Sequence, residues 1–188
     1  MAISWRTDLA MEAKQAYGEI RGVEMTQENC QQALVTRVKV LTQEGAEALG
    51  KPVGTYITIE HEGLSDKMSP HKKELVHCIA QQLHSLMDRS MNDGCALVVG
   101  LGNPDLTPDS VGPRVVNRIT VTRHFAEEVN IGQDALRSVC AYAPGVTGST
   151  GIETSESVTA LVRAVNPSVV LVVDALAARS TARLLNTV

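Results

Sequence analysis

Two apolar runs restrict what this chain can fold into more than any other feature: Cys95-Ala96-Leu97-Val98-Val99-Gly100 and Ser168-Val169-Val170-Leu171-Val172-Val173. A strand with one wet face alternates apolar and polar residues with period two. These runs do not alternate, so each reads as a strand buried on both faces, the habit of parallel sheets covered by helices. Residues 139–143 form a weaker third run. Helical patterns over residues 113–125 and 151–165 separate the three, with Gly112 expected as the cap of the first and Thr150 with Glu153 as a capping box for the second. The predicted fold class is α/β, a mostly parallel sheet with flanking helices and right-handed crossovers.

Upstream the texture differs. The first 22 residues read as polar and loosely helical. Residues 34–41 and 55–60 read as strands, with residues 45–50 as glycine punctuation between them. Ser69 and Pro70 open a helix whose apolar stripe of Leu75, Ile79, Leu83 and Leu86 carries it to about residue 89, where Asn92-Asp93-Gly94 stops it. The expected organisation is one α/β domain over residues 1–188. Residues 9–94 make an amino-terminal part with two strands and a long helix, and residues 95–188 make the parallel-sheet part.

Composition removes several function classes. The formal net charge is -4 and no Lys/Arg block stands out, so direct nucleic-acid binding has little electrostatic support. Cys30, Cys78, Cys95 and Cys140 are far apart and form no CxxC, so neither a zinc site nor any other metal or cofactor is expected. Free thiols of this kind fit a reducing cytoplasm. The amino terminus carries no apolar signal-like segment, and the run at Val169–Val173 is far too short to span a bilayer.

In open parallel sheets, ligands bind outside the carboxyl ends of the strands. The first apolar strand leads into Gly100-Leu101-Gly102-Asn103-Pro104-Asp105-Leu106-Thr107-Pro108-Asp109, and the last runs straight into Asp174. Asp109 alone reads first as a turn or capping aspartate. Asp174 alone reads equally as half of a structural pair with Arg179. Together they sit at one edge of one sheet. Two carboxylates held close do not both stay ionised. The ionised one could take a proton from water while its protonated neighbour polarises a carbonyl, which hydrolyses an amide without a metal or a Ser/Cys nucleophile. The glycine-rich stretch around Gly145, Gly148 and Gly151 offers backbone N–H groups to a substrate carbonyl, or is simply a strand-to-helix turn. His77 and His84 read as solvated helix residues, and His124 as a helix C-terminal cap.

Six ordered motifs resemble one known family. They are Val99-Gly-Leu-Gly-Asn103, Thr107-Pro-Asp109 with Gly112-Pro113, Val121-Thr-Arg-His124, Ala143-Pro-Gly-Val146, Thr150-Gly-Ile-Glu-Thr-Ser155 and Asp174-Ala-Leu-Ala-Ala-Arg179. Arg6-Thr-Asp-Leu-Ala10 and the segment from Thr42 to Gly50 agree with it too. The string is similar to the germination proteases of spore-forming Firmicutes. The resemblance implies an atypical aspartic endopeptidase whose sheet is like that of hydrogenase-maturation peptidases. Such an enzyme degrades small acid-soluble spore proteins in the spore core. It also implies a cytoplasmic, typically tetrameric zymogen that removes its own amino terminus and has neither a membrane nor a nucleic-acid partner.

Carried over residue by residue, the resemblance makes Asp109 and Asp174 the catalytic pair, with Gly102, Asn103, Gly148 and Glu153 in the substrate loops. It makes residues 1–8 a propeptide. Thr7-Asp8-Leu9-Ala10-Met11-Glu12 imitates the family's substrate site, so the self-cut is expected between Asp8 and Leu9 in a segment free enough to reach an active site. Family members continue past Asn186-Thr187-Val188, so the parallel-sheet part is expected to be incomplete. Two rival readings remain at this stage. One is a non-catalytic fragment acting as a folded or assembly module. The other is a peptidyl-tRNA hydrolase, whose strand motif is similar but whose offset is about half the 124 − 103 = 21 residues between Asn103 and His124.

Overall fold

The computed structural model describes residues 7–62, 64, 66, 69–87, 94–125, 137–178, 180, 183 and 185–188. They divide into two compact units. One holds Met1–Leu86 together with Leu176–Val188, and the other holds Met87–Ala175.

The first unit is built on a three-stranded antiparallel sheet of order β1-β2-β3, with β1 Val23–Cys30, β2 Ala33–Val40 and β3 Gly54–Glu60. A two-residue turn with Gln31 at φ 59° joins β1 to β2. The central strand β2 carries buried residues on both faces. Val38 and Val40 pack with Leu9, Ala10, Met11 and Ala13, which belong to or adjoin α1 (Ala10–Tyr17), and with Ala46 and Leu49 of α2 (Gln43–Leu49). Ala33 and Val35, two residues apart in the same strand, pack with Ile59 and with Leu75 and Cys78 of α3 (Lys72–Leu86). The period of two thus sends neighbouring side chains of β2 into two separate apolar clusters.

Several expectations are corrected here. The amino-terminal part has three strands, not two. β1 was invisible to periodicity because it is an edge strand in which only Val23 is buried. Residues 45–50 are not punctuation but most of α2, capped by the Thr42 hydroxyl accepting from the Gly45 N–H at 3.1 Å and closed by Gly50 in the left-handed region. The long helix begins at Lys72, three residues after Ser69. Its expected end near residues 89–94 falls largely outside the described residues.

The tail of the chain closes this unit. Val188 exchanges two backbone hydrogen bonds with Ile59 of β3, at 2.8 and 2.9 Å. The guanidinium of Arg183 reaches Glu12 at 2.7 Å and Glu60 at 2.8 Å. Glu12 is only 6% exposed, and its carboxylate also accepts from the Ser180 N–H and the Thr7 hydroxyl. Burial works against the charge on Arg183, but its hydrogen bonds to the two glutamates outweigh that and its pKa is raised.

The second unit is a three-stranded parallel sheet of order β5-β4-β6, with β4 Ala96–Gly100, β5 Val139–Tyr142 and β6 Val169–Val173. It confirms the α/β reading and the adjacency of the two long apolar runs. The helices are shorter than their patterns promised: α4 Val111–Val116, a single turn α5 Thr147–Thr150, and α6 Thr154–Val165. Gly112 lies inside α4 rather than capping it. The Thr150–Glu153 capping box does not form, because Thr150 ends α5 and Glu153 immediately precedes α6 without a side-chain cap bond. β4 is buried as expected, whereas β6 is not: Val170, Leu171 and Val172 are all exposed. Among the described residues β6 pairs with β4 and with no further strand.

Removing Arg183 would take from the buried Glu12 carboxylate its ion pair at 2.7 Å. Replacing one partner of such a pair costs about 3–5 kcal/mol in favourable cases, discounted here because Arg183 is partly exposed. Arg183→Met is expected to lower the stability of the first unit by about 2–3 kcal/mol in urea denaturation. An unchanged midpoint would show that the pair is not holding the tail.

Candidate active site

The carboxyl edge of the parallel sheet is assembled by backbones in direct contact. The ladder between β4 and β6 runs one step beyond the strands, with the Leu101 N–H donating to the Val173 carbonyl at 2.8 Å. Gly112, in the first turn of α4, lies flat on this ladder. A Cβ there would stand 2.3 Å from the Leu101 carbonyl oxygen and 2.5 Å from that of Val173. A Cβ on Gly100 would stand 2.2 Å from the Gly112 carbonyl oxygen. Only glycine at both positions lets α4 start on top of the two strand ends. Asp109 is three residues before Gly112, and Asp174 is the residue after Val173. Asp109 lies in the loop between β4 and α4, and Asp174 follows β6 directly, both on the carboxyl side of this sheet.

Asp109 ends a 3-10 turn, Thr107–Asp109. Its Oδ2 accepts from the Asn103 N–H at 2.8 Å. Gly102 has φ +114°, and a Cβ on it would collide with the Asp109 carbonyl at 2.0 Å. The Asn103 side chain in turn accepts from the Asp105 N–H at 2.9 Å. Gly102 and Asn103 thus fold the loop back so that the Asp109 carboxylate is held by the strand end it came from. Asp174 is exposed, and its Oδ1 accepts from the N–H of Ala175 at 2.7 Å. Among the described residues, each aspartate has one oxygen engaged and the other without a hydrogen bond. Arg179, the expected partner of Asp174, lies outside the described residues.

The other nominated residues sit elsewhere. Gly148 and Glu153 are exposed on the turns after β5, and no hydrogen bond among the described residues joins them to either aspartate. The N–H groups of Ser149, Thr150 and Gly151 are spent on the carbonyls of Val146 and Thr147, so they are not free for a substrate. His124 packs edge-on against Phe125, well past the end of α4, and caps no helix. Its neighbour Thr122 is buried and donates to the Arg137 carbonyl while accepting from the Val139 N–H, which stitches this segment to β5. Among the described residues no group of three or more His, Cys, Asp or Glu could hold a metal ion, and no helix is long and apolar enough to cross a membrane.

Asp8 and Leu9 are far from a loose end. The Asp8 N–H donates to the Ala177 carbonyl and its carboxylate accepts from the Ala177 N–H, both at 2.8 Å. Lys51 donates to the carbonyls of Thr7 and Asp8 at 2.8 and 3.3 Å. Leu9 is 5% exposed in the α1 cluster. The expected mobility of this segment is therefore not found at residues 7–9, because an apolar Leu9 and a bidentate Asp8 give it partners that its polar composition concealed.

A family profile described as germination protease matches residues 4–188. The chain belongs to the germination protease family. It is 45% identical over 186 residues to the germination protease of Caldanaerobacter subterraneus subsp. tengcongensis, covering 97% of this chain and 57% of that protein. It is 42% identical to that of Clostridium perfringens, covering 97% of this chain and 58% of the relative. Against that of Priestia megaterium the identity is 40%, covering 96% and 52%. The chain thus spans little more than half the length of these relatives. The matches favour neither the peptidyl-tRNA hydrolase reading nor the non-catalytic one.

Gly112→Ala is expected to force β6 or α4 to shift and to cost about 2 kcal/mol or more in denaturant unfolding, as overpacking against backbone does. Gly148→Ala, with open space around it, is expected to stay within about 0.5 kcal/mol. Equal effects of the two substitutions would refute the close-contact account of this edge.

Proposed function

We propose that this chain is the catalytic portion of an aspartate-dependent endopeptidase that degrades small acid-soluble spore proteins in the cytoplasm of the spore core. The observation that carries the reading is the placement of Asp174 directly after β6 and of Asp109 in the loop that leads from the adjacent parallel strand β4 into α4. Membership of the germination protease family supports it. Each carboxylate has one oxygen fixed by a backbone N–H and one left for chemistry. One aspartate takes the proton of the attacking water. The other, in its acid form, hands a hydrogen bond to the substrate carbonyl, and the proton then passes to the leaving amine. Gly102 and Asn103 act by holding Asp109 in place, while Gly148 and Glu153 line the substrate's path from the β5 side. The working form is a tetramer, made as a zymogen.

In a protein of the relatives' full length, Asp109→Asn or Asp174→Asn is expected to cut hydrolysis of a small acid-soluble spore protein by about a thousandfold or more, with the circular dichroism spectrum unchanged. A chelator is expected to leave the rate intact. Near wild-type turnover by both variants would dismiss the pair.

The same reading makes residues 1–8 a propeptide cut between Asp8 and Leu9. The bonds from Ala177 and Lys51 hold that peptide, so the cut requires the segment to open first. Amino-terminal sequencing of the full-length protein after mild acid treatment is expected to find Leu9 as the new terminus. Lys51→Met is expected to hasten its appearance several-fold. A new terminus elsewhere, or no acceleration, would separate the segment from self-processing.

A further inference from the structure

The four cysteines, widely spaced in sequence, come together as two thiol pairs, one in each unit. In the antiparallel unit Cys30 packs against the cluster that holds Cys78, which is 0% exposed, and its own thiol donates to the Gln81 side-chain oxygen at 3.7 Å. In the parallel unit the sulfurs of Cys95 and Cys140 lie 3.6 Å apart. Cys95 immediately precedes β4, and Cys140 is the second residue of β5, level with Leu97. The two are therefore diagonal neighbours on adjacent parallel strands, and both are half-buried rather than sealed. A covalent sulfur–sulfur bond is about 2.0 Å, and diagonal neighbours stand about 7–8 Å apart, so closing the gap also draws the start of β4 toward β5 within the existing strand pairing.

We propose that Cys95 and Cys140 are a modification site, forming a reversible disulfide with a small-molecule disulfide as oxidant. Cys95 loses its proton to solvent and attacks one sulfur of the oxidant, releasing one small thiol and leaving a mixed disulfide on Cys95. Cys140 then loses its proton and attacks the Cys95 sulfur, releasing the second small thiol. Two protein thiols are oxidised and one small disulfide is reduced, so atoms and electrons balance. Cys140 is the second attacker. Its pKa is pushed up to about 11, first by burial and then by its hydrogen bond with Cys95, so at neutral pH it remains a thiol and a poor opening nucleophile. Once Cys95 carries the mixed disulfide, the sulfur to be attacked is already beside it. The bond would staple β4 to β5 at their amino-terminal edge, the edge opposite Asp109 and Asp174.

The test is incubation of the chain with oxidised glutathione at mildly alkaline pH, quenching with N-ethylmaleimide, and peptide mapping without reduction. The expected product is a linked pair of peptides containing Cys95 and Cys140, two hydrogens lighter than the thiols and lost on adding dithiothreitol. Cys78, which is 0% exposed, is expected to take up maleimide only after unfolding. Cys140→Ser is expected to stop at a glutathione adduct on Cys95, and Cys95→Ser to yield no linked peptide. Recovery of both residues as maleimide adducts in the wild-type chain, or linkage through Cys30 or Cys78 in its place, would overturn the proposal.

Discussion

The carboxyl edge of the parallel sheet depends on one steric condition: the backbone of Gly112 rests on the backbones of Leu101 and Val173 with no room for a side chain between them. A helix beginning normally beside a strand keeps a Cβ layer of separation. Here that layer is missing on both sides, because Gly100 faces the Gly112 carbonyl in the same way. The helix start is drawn down onto two strands at once, and the loop preceding it has to double back. Gly102, in a backbone region that L side chains rarely adopt, makes the doubling back possible. The Asn103 N–H then fixes the carboxylate of Asp109. The position of one aspartate relative to the other strand follows from three glycines before any polar interaction is counted.

The parts of the fold legible in the sequence are those where burial and period agree. β4 is apolar without alternation and is buried, and β2 alternates and fills two clusters. The failures have physical causes. β1 is a polar edge strand, held by its ladder to β2 rather than by an apolar face, so periodicity had nothing to detect. β6 has the composition of an inner strand, yet Val170, Leu171 and Val172 are exposed, and among the described residues it pairs with β4 alone. For the candidate site, the position of Asp174 directly after an apolar strand was legible in the sequence. Gly112 was misread, because a glycine before a proline looks like a cap and its contact with a distant strand cannot be seen from sequence. The link from Asn103 to Asp109 was equally hidden, since it depends on the backbone angle at Gly102. Thr122 was noticed only as part of a motif, although its hydroxyl joins two backbone positions fifteen and seventeen residues on.

In the first unit the decisive contacts join residues remote in sequence. Asp8 grips Ala177, and Arg183 ties Glu12 to Glu60. These bonds explain why Thr7 to Glu12 is an ordered part of the core boundary despite its polar composition.

The same contacts make the first unit discontinuous. Its residues lie on both sides of the stretch Met87–Ala175, which is itself unbroken in sequence. During synthesis from the amino terminus, β4, β5 and β6 have all emerged once Val173 has. The antiparallel sheet is available much earlier, yet Glu12 then waits as a carboxylate without its guanidinium until Arg183 follows. The unit begun first therefore waits, for part of its closure, on residues that follow the whole stretch Met87–Ala175.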